Sequence, residues 1–184
     1  GSFNFEPELY SVASGLWRPM AMHTSPRDYH SCALLLPDGS VLVCGGENRT
    51  TDYQIWIPPY LLGPANRRPV GVGLVDSFSS APISQDNLQG ATYGQQCRVA
   101  WSNTLPAGVE VAQVVLMPPA AVTHHDDGGQ RCVRLASVYN EDATPGSLHI
   151  LMPATHRHAP PGWYMLFLIT NEGVPANAFW VNLG

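Results

Sequence analysis

The 184-residue chain has no lysine: all nine basic residues are arginine, set against 14 acidic ones for a net charge of −5. No basic block exists, which argues against a nucleic-acid partner. No apolar run is long enough to span a bilayer as a helix. None of the four cysteines forms a CxxC pair, which argues against a zinc knuckle. GxSxG, a P-loop and a Gly-rich dinucleotide fingerprint are all missing. No segment keeps a helical period.

What the chain has instead is 17 glycines and 17 prolines. That density punctuates the sequence every few residues and favours short strands. With 45% hydrophobic and 12% charged residues, the composition is that of a globular protein. Residues 8–60 read as short strands in pairs. "ELYSVASGLWRPM" gives two strands about a Ser14-Gly15 turn. "YHSCALLL" and "VLVCGG" flank Pro37-Asp38-Gly39, a three-residue loop suited to a type I turn with a left-handed glycine. The near-continuous apolar run of "YHSCALLL" predicts burial on both faces. "TDYQIWI" is a further strand.

"GPANRRP" (63–69) is the best boundary. Beyond it, strand candidates fall at 72–75, 95–101, 109–117, 131–138, 147–152, 163–170 and 178–183, with "GWYMLFLIT" the strongest central strand. Seven short strands over about 115 residues predict a β-sandwich. The first 62 residues hold strand pairs without closure, which would leave sheet edges bare. Tyr10, Trp17 and the Gly45-Gly46 doublet resemble kelch-type propeller repeats. The expected architecture is therefore all-β. Residues 1–62 form about one and a half blades ending a kelch-type propeller, 63–69 a linker, and 70–184 an immunoglobulin-like (early-set) sandwich. Such a chain looks like the tail of a larger one.

The Pro-Asp-Gly loop sets Leu36 opposite Ser40 and Cys32 opposite Cys44. A cross-strand disulfide can form there but would be strained; two free thiols packed as small hydrophobes is the equally open reading. Cys97 and Cys132 lie on separate strand candidates, and for them too a disulfide and free thiols both stay open. Asn48-Arg49-Thr50 is a glycosylation sequon.

Two stretches carry possible chemistry. Tyr29 and His30 sit side by side at a strand's start. Their plain reading is a packing ring and a strand cap, because neighbours on a regular strand face opposite ways. A joint metal role needs an irregular entry, which Pro26 makes plausible. "MPPAAVTHHDDGGQR" (117–131) reads plainly as a polar hairpin tip, or as a long loop presenting an imidazole outside its own domain. Asp126 and Asp127 could offer oxygen to calcium, but histidine is no calcium ligand. His149 alternates within a strand, His156 and His158 fall in a solvated loop, and Glu141-Asp142 reads as a turn.

Four stretches, "PRDYHSCALLLPDGSVLVCGG", "IPPYL", "VTHHDDGGQR" and "APPGWYMLFLITNEGVPANAFWV", resemble in order the C-terminal part of the copper radical oxidases, the galactose oxidase and glyoxal oxidase group. The resemblance implies a propeller followed by a sandwich, with a sandwich loop reaching a copper in the propeller channel. By position, Tyr29 matches the axial tyrosine and the catalytic base, His30 the first histidine ligand and His124 the second. His125 is extra. Two imidazoles with phenolate oxygens suit Cu(II).

The family's remaining ligand, a tyrosine cross-linked to a cysteine, would lie upstream, since all four cysteines fall in the matched region. The resemblance thus implies an extracellular protein that oxidises a primary alcohol or aldehyde with O2, giving H2O2. The upstream propeller, in the same protein or a partner chain, would complete it. A non-catalytic carbohydrate- or wall-binding module is the alternative, and a structural piece of an extracellular assembly a third.

Overall fold

The computed structural model describes residues 5–47, 51–83, 90–124, 126–139 and 146–184. The Asn48 sequon, His125 and the Glu141-Asp142 pair lie outside them. The strands are β1 (Glu8–Ser11), β2 (Leu16–Pro19), β3 (Ser31–Leu35), β4 (Val41–Gly45), β5 (Tyr53–Trp56), β6 (Gly73–Asp76), β7 (Pro82–Ile83), β8 (Gln96–Ala100) and β9 (Val111–Met117). After these come β10 (Val122–Thr123), β11 (Asp126–Asp127), β12 (Val133–Arg134), β13 (Ala136–Tyr139), β14 (Ser147–Leu151), β15 (Gly162–Thr170) and β16 (Phe179–Leu183). Two single-turn 3-10 helices, Pro59–Leu61 and Ala65–Arg67, bridge β5 and β6. Among the described residues, no helix is long and apolar enough to cross a membrane.

Among the described residues all five sheets are antiparallel, and the fold is all-β. β1 and β2 form a hairpin in which Tyr10 faces Trp17, their rings 5.0 Å apart. β3, β4 and β5 form a three-stranded sheet. Beyond it, β12-β9-β15-β16 and β13-β14-β8-β6-β7 make the two sheets of a sandwich. Its core interleaves Val114, Leu116, Leu166, Leu168 and Val181 of the first sheet with Leu74, Val99, Leu148 and Ile150 of the second. The candidate run at 131–138 is two strands rather than one. β12 pairs with β9, β13 with β14 in the other sheet, and buried Leu135 turns the chain from one to the other. Strands that switch sheets make the corners of such sandwiches.

The run "GWYMLFLIT" is apolar throughout because β15 is covered twice. Tyr164, Leu166 and Leu168 enter the sandwich core. Met165 and Phe167, on the opposite face as the two-residue period requires, form a second cluster with Val115. Leu35 of β3, Met117, Ala178 and Trp180 pack against that cluster. The cluster joins the sandwich to the β3–β5 sheet.

The Pro37–Gly39 turn reinforces the junction. Ala178 N–H donates to Pro37 O at 2.7 Å, Tyr60 Oη–H donates to Gly39 O at 2.8 Å, and Arg68 donates to Asp38 O. Gly39 has φ +84 and packs so closely that a Cβ would meet Pro175 Cγ at 3.1 Å. Burial acts to raise the Asp38 carboxyl, but the Ser40 hydroxyl and amide, with Arg68, outweigh it and hold it low.

The expected burial of β3 on both faces is not what the structure shows. Every β3 residue is half-buried or exposed. Ala33 and Val41 border two clefts, of about 490 and 520 Å³, that also reach Asp127 of the β10–β11 hairpin. The two open cysteine questions resolve the same way: all four are free. Cys97 lies in the sandwich core, where burial pushes its thiol up to about 12. Cys132 is exposed on the border of the larger cleft, and that difference in placement explains why the two are unbridged.

Candidate metal centre

Tyr29 and His30 occupy the turn that feeds β3. Ser31 N–H donates back to Asp28 O at 3.0 Å and closes that turn. His30 takes φ 65, in the left-handed region. Alternation of side chains presumes extended backbone, and the left-handed residue breaks it. The two adjacent rings therefore lie together, centroids 4.0 Å apart.

The corner is held from the β4 side. Glu47 N–H donates to Tyr29 O at 3.1 Å and to Asp28 Oδ1 at 2.9 Å. Gly46, at φ +114, lets Asp28 approach, because a Cβ there would fall 2.6 Å from Asp28 Oδ1. Arg27 runs beneath, its Nη1 donating to Gly45 O at 3.0 Å and pairing with Asp52 at 3.1 Å. Beside it burial, and then the Arg27 charge, hold the His23 imidazole below its usual range.

His124 arrives from the sandwich. Val122 pairs with Asp127 and Thr123 with Asp126, so His124 sits at a hairpin tip. Asp127 Oδ1 ties the base of the hairpin by accepting from Ala121 N–H and Gly129 N–H, both at 2.9 Å. The hairpin packs β10 against β3. This brings the His124 ring to 5.2 Å from His30 and 6.0 Å from Tyr29, centroid to centroid.

His124 has φ 52 and is, with His30 and Ser80, one of three described non-glycine residues in the left-handed region. Such backbone costs about 1–3 kcal/mol and clusters where function demands it. Thr123 Oγ1 lies 2.8 Å from His124 Nδ1. In the tautomer whose Nδ1–H donates to that hydroxyl, Nε2 keeps its lone pair for a metal. His30 Nδ1 faces Glu47 Oε1 at 3.9 Å.

The donor set is two imidazoles and a phenol, which fits Cu(II) and not calcium. Among the described residues no three His, Cys, Asp or Glu side chains gather to hold a metal on their own; the third donor here is a tyrosine. The structure brings Tyr29, His30 and His124 together. His149 is placed elsewhere, its Nδ1 3.2 Å from Ser77 Oγ. Sequence reasoning missed Asp28, Arg27 and Glu47. The hairpin register, extended past Ser31 opposite Gly45, could have found Glu47 facing Tyr29.

Residues 81–183 match the family model of the galactose oxidase-like, early set domain. The chain belongs to this family. It is a homologue of the copper radical oxidases and corresponds to their C-terminal portion.

Three relatives give the scale of the likeness. The aldehyde oxidase GLOX1 of Arabidopsis thaliana is 30% identical over 98% of this chain and 30% of its own length. A galactose oxidase of Gibberella zeae is 27% identical over 95% of this chain and 24% of its own. A solved fungal alcohol oxidase of the AA5 family, in complex with copper, superposes with a TM-score of 0.76 at 27% identity. That match covers 97% of this chain and 36% of the oxidase. The chain thus spans about a third or less of these relatives.

Proposed function

We propose that this galactose oxidase-like chain is the C-terminal part of a copper radical oxidase and that Tyr29, His30 and His124 are three of its copper ligands. The observation that carries the reading is the meeting of three rings from two separate modules, within 4.0–6.0 Å of one another, with left-handed backbone at both histidines. The strands before residue 63 are read as the last one and a half blades of a kelch-type propeller. The upstream propeller, in the same protein or a partner chain, completes the site and supplies the cross-linked Cys–Tyr radical. Kinship with the copper radical oxidases favours an extracellular setting.

When bound, the copper together with that radical would accept the two electrons released by a primary alcohol or aldehyde, with O2 reduced to H2O2. This chain's residues have simpler tasks. Tyr29 takes the substrate's hydroxyl proton as general base. His30 and His124 would hold the metal through imidazole nitrogens. Thr123 orients the His124 ring through its hydroxyl, and the Asp28–Glu47 contacts hold the Tyr29 corner in place.

The test is copper content. His124→Ala in the full-length protein should abolish stoichiometric copper and with it the electron paramagnetic signal of nitrogen-coordinated Cu(II). Unchanged copper would sink the ligand assignment. H2O2 release across a panel of alcohols and aldehydes then separates an oxidase from a binding module.

A further inference from the structure

The metal centre leaves one close pair of cysteine side chains unused. Cys32 on β3 and Cys44 on β4 are direct partners in the ladder, and their sulfurs stand 3.3 Å apart. Leu36 N–H donates to Ser40 O at the turn, and hydrogen-bonded pairs alternate along an antiparallel ladder. Counting back, Cys32–Cys44 falls on a hydrogen-bonded position, where Cα atoms are about 5.5 Å apart. That is inside the ~4.4–6.8 Å Cα range that disulfides span, so the bridge can form, with strain. Both thiols are half-buried rather than sealed, and Cys32 borders the 490 Å³ cleft. A small reagent can therefore reach it. The other two cysteines differ in kind: Cys97 is fully buried and Cys132 is exposed and single.

We propose that Cys32 and Cys44 form an oxidative modification site, a dithiol that hydrogen peroxide converts to an intramolecular disulfide and that thiol reductants reopen. The Cys32 sulfur attacks one peroxide oxygen, and the O–O bond breaks. Cys32 becomes a sulfenic acid, and its thiol proton leaves with the departing oxygen as water. The Cys44 sulfur then attacks the Cys32 sulfur. The S–S bond forms, the S–O bond breaks, and the second thiol proton leaves in a second water. Two thiols lose two electrons, and one peroxide is reduced to two waters. The new bond ties β3 to β4 two residues after His30 and one before Gly45, beneath the Tyr29–His30 corner. That peroxide is made close by rests on the function proposed above. The thiol chemistry does not, and an external supply of peroxide lets the two ideas fail separately.

The experiment uses the whole chain carrying Cys132→Ser, treated under native conditions with hydrogen peroxide and mapped by mass spectrometry. The expected result is loss of two hydrogens, a single cross-link between the peptides holding Cys32 and Cys44, an intact Cys97 thiol, and full reversal by dithiothreitol. Retention of all three thiols would overturn the proposal, as would Cys32 advancing to sulfinic acid beside an intact Cys44. A second variant adds Cys44→Ser. Without its partner, Cys32 should accumulate as a sulfenic acid that a 1,3-diketone traps. If Cys32 stays unreactive there, peroxide does not reach it and the site does not exist.

Discussion

The Cβ that Gly45 lacks would lie 2.6 Å from the carbonyl oxygen of His30. The glycine is at φ +78, so both its backbone and its missing side chain serve the close approach of the Tyr29–His30 corner. Gly45→Ala should cost roughly 1–3 kcal/mol in urea unfolding through strained backbone and displace His30, lowering copper content. Gly15 is the control. It has φ +68 with nothing within 4 Å of its Cβ position, so Gly15→Ala should lose stability from backbone strain alone and keep its copper.

Thr123→Val tests the orientation of His124. The hydroxyl 2.8 Å from Nδ1 is removed while the shape of the exposed side chain is kept. Copper affinity, read by competition with a chelator, should fall about 10–100-fold. Unfolding free energy should move by less than about 0.5 kcal/mol, as for other surface changes. Restoring a hydroxyl with Ser should recover most of the affinity.

The register of the β3–β4 hairpin was legible because Pro37-Asp38-Gly39 admits one common turn, and the observed pairing of Cys32 with Cys44 follows from it. β15 was legible as a central strand from its unbroken apolar run. The shared direction of Tyr29 and His30 was not. It depends on the sign of φ at His30, in a corner whose neighbours Gly45, Gly46 and Glu47 lie 15 to 17 residues from His30 in sequence, and no local pattern encodes it. The break at Leu135 was hidden for a similar reason, since its flanking strands belong to different sheets and only the assembled sandwich separates them. The link between His30 and His124 could be read only from the combination of two distant motifs.

Phe167→Ala addresses the junction. Phe167 is buried with Val115 and Met165, with Leu35 of the other sheet packed against them. Truncation should cost about 3–5 kcal/mol in a denaturant titration. It should also speed amide exchange at Ala178, whose N–H is bound to Pro37 O.

Acid stability should depend on Asp76. Its carboxylate accepts from Gln95 Nε2 at 2.8 Å and from the Ser79 amide and hydroxyl at 2.7 and 2.8 Å. These donors, Gln95 first, hold it well below the usual carboxylate range. A depressed folded pKa stabilises above the unfolded value near ~4 and loses that contribution as pH falls through the folded one. Asp76→Asn should therefore be less stable at pH 7 and show a flatter decline below about pH 4, measured by thermal melts across pH.

Hairpin turns commonly accept insertions. The turn at 37–39 is wedged instead between Pro175, Tyr60 and the Ala178 amide, so it acts as a spacer gauge between two modules. The β3–β5 sheet leads in from His30 and the sandwich carries the hairpin of His124, so the seating of this turn should bear on the separation of the two imidazoles. Changes of length there should be read out as changes in metal geometry, which makes this turn a handle for tuning the centre without touching any residue in it.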